Sequence, residues 1–237
     1  MHSPFFGEFM GTLILILMGN GVVAGVLLKG SKGEGAGWLA ITAGWAFAVM
    51  GGVVTALACG SPDGHLNPAV TIAVAVRTGD FSNVPSYILA QMLGALCGAT
   101  LVWLHYLPHW GVTPDPAAKL ACFSTGPAIR HPAANLLAEA IGTFVLVFVA
   151  FAIGSKAVGA PFAPALVGML VWSIGLSLGG PTGYAINPAR DLGPRIAHAV
   201  LPIAGKKFSD WGYAAIPIIG PILGGAAAGA FVKFAGM

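Results

Sequence analysis

Two copies of one short motif carry most of the chemistry open to this chain: Asn67-Pro68-Ala69 and Asn187-Pro188-Ala189, the second followed directly by Arg190 and Asp191. Asn suits a helix N-cap, where it accepts from the free N–H groups of the first turn. Pro suits the first helical position, where its missing N–H is no loss. The asparagine amides also bring N–H donors, which a neutral solute stripped of water needs. Arg190 is a cation in an apolar region, expensive unless it faces water or a partner. Its planar fork can donate to several solute hydroxyls; the blander alternative is an arginine that snorkels to a membrane edge. Glu8 and Glu139 are the only acids inside long apolar runs. Carboxylates there act either as ion-coupling sites or as buried acceptors for loop N–H groups, the reading preferred here. Asp191 is placed to pair locally or to cap the turn near Arg195. His65 offers its backbone carbonyl to a lumen and its side chain to the loop.

Other chemistries are not supported by the spacing. Cys59, Cys97 and Cys122 are scattered, with no histidine at ligand spacing, so no metal or cofactor is expected. No Ser/His/Asp set is placed to meet at one depth, so no catalytic residue is assigned and the chain is not expected to be an enzyme. The net charge of +3 is small and spread out, which excludes a nucleic-acid surface.

The elements that must position these residues follow from composition. The 237 residues are 57% hydrophobic and 8% charged, with a mean hydropathy of +0.84. Soluble domains carry roughly 25% charged residues, so the bilayer is the expected solvent. A hydrocarbon core of about 30 Å needs roughly 20 apolar residues per helix. Six stretches are predicted to span: Pro4–Leu28, Gly37–Ala58, Val84–Leu104, Pro132–Gly154, Phe162–Leu178 and Trp211–Val232. The first lacks a basic leader and a small-residue cleavage site and is read as a span, not a removable signal. Two segments, Leu66–Val76 and Ile186–Ala199, are too short to cross. Each contains one motif copy and follows a Gly-rich stretch, which predicts two half-helices capped by Asn67 and Asn187. Non-helical backbone at that depth survives only where it is buried in protein or lines a wet cavity. A polar path through the middle is therefore expected.

The chain also repeats. Glu8-Phe-Met-Gly11-Thr12 matches Glu139-Ala-Ile-Gly142-Thr143, and the two Asn-Pro-Ala motifs fall at corresponding places. Each half, about 1–118 and 119–237, reads as three spans and one half-helix within a single channel domain. An odd number of spans inverts the second half relative to the first, so the half-helices meet N-terminus to N-terminus.

His65-Leu-Asn67-Pro-Ala69-Val-Thr71 and Asn187-Pro-Ala189-Arg190-Asp191 resemble the paired motifs of the aquaporin superfamily, and the resemblance covers essentially the whole chain. It implies an all-α membrane protein of six transmembrane helices and two re-entrant half-helices, one pore per subunit, and usually a homotetramer. It also implies a selectivity filter. Asp191 after the Arg is similar to the glycerol-facilitator (aquaglyceroporin) branch. Gly175 stands where water-specific members carry a histidine, leaving room in the slot. Tyr184 stands where glycerol facilitators carry an aromatic, often Phe. Trp45 resembles the aromatic wall, with Phe47 a rival for the role, because two helical residues apart cannot both face one pore. The chain departs from the family pattern in Ser61-Pro-Asp-Gly64, where one or two extra residues sit. Such a filter has one polar wall and two apolar ones, which suits a polyol.

The resemblance places both termini in the cytoplasm and the chain in the cell membrane. The charge count argues the other way: Arg77, Lys156 and Lys233 on that side against Lys29, Lys32, Lys119, Arg130, Arg195, Lys206 and Lys207 on the opposite one. Trp103, Trp110, Trp172 and Trp211 read as an interfacial aromatic belt. The expected function is passive diffusion of glycerol and related small neutral solutes, with water. A water-selective channel and a coupled secondary transporter are the alternatives.

Overall fold

The computed structural model describes residues 2–154 and 162–236, and among these the only regular elements are helices. In chain order they are α1 (Pro4–Leu27), α2 (Gly37–Ala58), α3 (Pro68–Thr78), α4 (Val84–His105), α5 (Leu107–Val112), α6 (Pro116–Ala121), α7 (Pro132–Ile153), α8 (Ala163–Ser177), α9 (Pro188–Val200) and α10 (Ile216–Phe234). The starts are set by local chemistry. Proline occupies the first turn of nine of them, all but α2, and five have a side-chain cap: Ser3, Asn67, Asp115, His131 and Asn187.

Five helices are long and apolar enough to cross a membrane: α1, α2, α4, α7 and α10. The expected span at Phe162–Leu178 is shorter, since α8 has 15 residues, about 23 Å at 1.5 Å per residue. The last span begins at Ile216 and not at Trp211. Residues 211–215 form turns, Asp210 has a φ of 48°, and Pro217 sets the first helical turn. The connector from α4 to α7 holds two short helices, α5 and α6, that hydropathy did not indicate.

Helix α1 packs on α2 and α4, and α7 packs on α8 and α10. The half-helices are exchanged between these groups: α3 lies on α10 and α9 on α4, while α2 meets α8 across the middle. Small residues allow the backbones to touch. A Cβ at Gly98 would fall 2.6 Å from the Leu13 carbonyl of α1, and one at Gly225 would fall 2.6 Å from the Ala69 carbonyl of α3. Gly94, one turn earlier on α4, also faces α1, where a Cβ would fall 2.3 Å from the Phe9 carbonyl. Buried Ile16, Trp45, Leu66, Phe123, Ile174 and Ile186 belong to one continuous core that surrounds the two motif loops. Trp110 belongs to this core rather than to an interfacial belt: it is 1% exposed, and its Nε1 donates to the Trp103 carbonyl. Trp211, half exposed, keeps a surface position.

Candidate functional site

Each motif loop is pulled into place by a buried glutamate one helix away. Glu8 on α1 accepts from the backbone N–H of His65 and Leu66, both at 2.8 Å, and from Ser61 Oγ and Gln91 Nε2. Glu139 on α7 accepts from the backbone N–H of Ala185 at 2.9 Å and Ile186 at 2.8 Å. Leu66 and Ile186, each the residue before the asparagine, have positive φ values of 52° and 43°. A branched or bulky residue held there stores strain of roughly 1–3 kcal/mol, which the surroundings must offset. The carboxylates supply that hold. Neither glutamate is among the residues that line the central cavity, and each holds the backbone N–H groups of a motif loop.

The half-helices meet at their N-termini. Asn67 Oδ1 caps Ala69 N, and Asn187 Oδ1 caps Ala189 N and Arg190 N. The amide nitrogens cross over: Asn67 Nδ2 donates to the Ile186 carbonyl at 2.7 Å, and Asn187 Nδ2 to the Leu66 carbonyl at 2.8 Å. The sequence offers the asparagine amide hydrogens as donors to a solute. One of each pair instead ties the opposite loop, which leaves one donor per asparagine. Pro68 and Ala69, and Pro188 and Ala189, are buried behind them in the first turns.

A cavity of about 630 Å³ runs through this meeting point. Asp63, Arg77 and Phe151 line one end, Asn67 and Asn187 the middle, and Trp45, Tyr184 and Arg190 the other end. His65 also lines it, with Nδ1 3.2 Å from Thr71 Oγ1. Its walls are mostly aliphatic, among them Val49, Val53, Val70 and Leu146. The lumen is thus an apolar tube with a few convergent donors.

At the far end the Arg190 guanidinium carbon stands 4.1 Å from the centre of the Trp45 ring. Trp45 is 3% exposed, whereas Phe47 is 56% exposed on the outer face of the bundle, as their angular separation requires. Gly175 stands behind the wall and not in it. A Cβ there would lie 2.8 Å from Tyr184 Cζ and 2.9 Å from Thr42 Cγ2, so the space its missing side chain leaves is taken by the Tyr184 ring. The expectation that Gly175 opens room in the slot is corrected accordingly: the glycine admits the tyrosine. Asp191 stands outside the lumen. Its Oδ1 pairs with Arg195 at 2.7 Å with both side chains fully buried, and its Oδ2 accepts from the N–H and hydroxyl of Thr125.

Sequence reasoning did not identify Gln91, Thr125 or Trp38. Gln91 was legible as a lone amide within an apolar span; it donates to Glu8 and to Thr71 Oγ1. Thr125 and Trp38 gave no signal, because their partners are distant in the chain. Among the described residues no group of His, Cys, Asp and Glu could hold a metal ion.

The model of the family described as Major intrinsic protein matches residues 2–232. A probable glycerol uptake facilitator protein of Thermotoga maritima is 58% identical over 225 residues, covering 94% of this chain and 95% of the relative. The glycerol uptake facilitator protein of Bacillus subtilis is 56% identical over 236 residues, covering 98% and 85%. Among solved structures, the aquaglyceroporin from Plasmodium falciparum superposes with a TM-score of 0.84 at 27% identity, covering 97% of this chain and 94% of that one.

Proposed function

The chain belongs to the major intrinsic protein family, and from that premise we propose that it is a passive, bidirectional channel for glycerol and related small neutral solutes, with water. The observation that carries this reading is the cavity itself. It joins a mostly aliphatic wall to a few polar groups, the two asparagine amides, His65 and Arg190 among them, and neither Glu8 nor Glu139 lines it. A polyol has hydroxyls along one edge and C–H groups along the other. It slides along such a wall while exchanging water for protein donors.

In this reading Trp45, Tyr184 and Arg190 form the selectivity filter, and Gly175 shapes it from behind. Two half-helix N-termini, each with roughly half a positive charge, face the solute at the asparagines and repel cations. The chain is a single channel domain of two inverted halves, and it performs no covalent chemistry. It spans the cell membrane, with both termini cytoplasmic, and assembles as a homotetramer in which each subunit holds its own pore. Among the cations opposite the termini, Lys29 pairs with Glu34, Arg130 with Asp210 and Arg195 with Asp191, Lys119 donates to the Ala204 carbonyl, and Lys206 donates to the carbonyls of His198, Ala199 and Leu201 at the end of α9. Lys156, on the cytoplasmic side in this reading, lies outside the described residues.

Stopped-flow light scattering on proteoliposomes tests the proposal. Glycerol entry well above the lipid background, without any ion or pH gradient, is expected. An Arg190→Val variant should lose about tenfold in glycerol permeability, the equivalent of one charge-assisted contact of ~1.4 kcal/mol. Fast water flux with negligible glycerol flux would transfer the assignment to a water-selective channel, and a requirement for a gradient would transfer it to a coupled transporter.

A further inference from the structure

Tyr184 forms one wall of the constriction, yet little on its own element fixes where its ring stands. It follows Gly183 in a loop, and its φ is 39°. Its hydroxyl is buried without a hydrogen-bond partner, so no polar tether holds the tip. What confines the ring is a box built from two other helices. The Trp38 indole, at the start of α2, meets it edge-on with ring centroids 5.7 Å apart. Gly175 and Gly179 back it from the end of α8, where a Cβ would fall 2.8 Å from Tyr184 Cζ and 2.6 Å from Tyr184 Cδ1 respectively. Trp38 is itself anchored, with Nε1 donating to the Gly175 carbonyl at 3.1 Å.

We infer that Trp38 is the positioning residue of the constriction: its indole, held by the Gly175 carbonyl, stops the Tyr184 ring from swinging away from Arg190 and so sets the largest solute that passes. This rests on the channel reading above and extends it from which residues line the slot to what fixes its width. Behind the ring there is no room, since a Cβ at Gly175 or Gly179 would fall within 2.8 Å of it. An aromatic edge contact is directional, and with Gly175 behind the ring tip any added atom pushes the ring toward the lumen, whereas any atom removed from Trp38 releases it outward. Trp38 touches no solute in this arrangement and acts through Tyr184 alone.

The two sides of the box predict opposite effects on selectivity, which loss of fold cannot mimic. In proteoliposomes, Trp38→Ala should raise the ribitol-to-glycerol permeability ratio by about tenfold, the low end of what a methylene-scale change in a fitted pocket produces. Gly175→Ala should lower the glycerol-to-water ratio by a similar factor. Trp38→Phe, which keeps an aromatic edge but has no Nε1 donor, should fall between wild type and Trp38→Ala. Ratios unchanged from wild type in both alanine variants, or shifted in the same direction, would overturn the inference. A wild type that passes water but no glycerol overturns the glycerol reading instead. Trp38→Ala would then be expected to admit glycerol, and its failure to do so would count against Trp38.

Discussion

Around Asn67 and around Asn187 the backbone does the same things. A residue of positive φ precedes each asparagine, a distant glutamate holds that residue's N–H, and the opposite asparagine takes its carbonyl. The positions that follow are filled differently. Val70 and Thr71 stand in the first half-helix where Arg190 and Asp191 stand in the second, and Ala75 where Arg195 stands. Thr71 is held by neutral bonds, donating to the Asn67 carbonyl and accepting from Gln91. Asp191 is held by an arginine and a threonine, and Arg195 reaches on to the carbonyls of Ser209 and Thr125. One frame thus supports a half-helix whose first two turns are uncharged on one side and one whose first two turns are charged on the other. The charged one presents Arg190 to the lumen, and a buried ion pair directly behind it ties down two connectors, the one before α7 at Thr125 and the one after α9 at Ser209 and Asp210. Symmetry of the backbone settles where the asparagine donors point; the asymmetric residues settle which end of the cavity carries a buried cation.

The largest test of that contrast is to break the charged side. Asp191→Asn leaves Arg195 buried without its counter-charge and should cost about 3–5 kcal/mol, against about 1 kcal/mol for Thr71→Val on the neutral side. Thermal unfolding in detergent measures both; equal losses would mean that the ion pair adds nothing beyond an ordinary hydrogen bond. A smaller effect separates the two braces. Glu8→Gln and Glu139→Gln each turn an acceptor into a donor facing N–H groups, a loss of about 1–3 kcal/mol. Glu8, which also serves Ser61 and Gln91, should lose more. A larger loss at Glu139 would show that the neutral half is the better supported of the two.

The smallest expected effect lies outside both regions, in the connector between α1 and α2. Glu34 accepts from Lys29 Nζ and from the Gly30 N–H, and these hold its carboxyl below the ordinary value. A lowered folded-state pKa contributes stability above the unfolded value, and that contribution is lost as pH falls through the lowered one. Both side chains are solvent-exposed, so Glu34→Gln should leave glycerol flux and the unfolding midpoint at neutral pH unchanged. A drop in flux would tie this connector to the pore.

Much of the site was legible because its signals are local. Asn-Pro-Ala announces a capped helix start wherever it occurs, and a glutamate or arginine in an apolar run demands a partner or water. The starts of α3 and α9 fall one residue after the predicted caps. Boundaries set by turns were less legible: hydropathy carried the last span back to Trp211, although the chain there is folded into turns. Trp110 misled for a related reason, since tryptophan suits both a membrane interface and a core, and only its neighbours decide between them.

By itself the sequence determined the solvent, the helices, the two capped half-helices and the residue types that could meet in a lumen. Periodicity, propensity and capping act within a few residues of one another. The tertiary structure decided what depends on contacts between distant segments. It turned Trp45 inward and Phe47 outward, gave one hydrogen of each asparagine to the opposite loop, and placed Tyr184 in the space left by Gly175. It also brought Trp38 against a ring 146 positions further along the chain. No local rule encodes such a contact, because it exists only once close-packed helices leave a side chain one place to go.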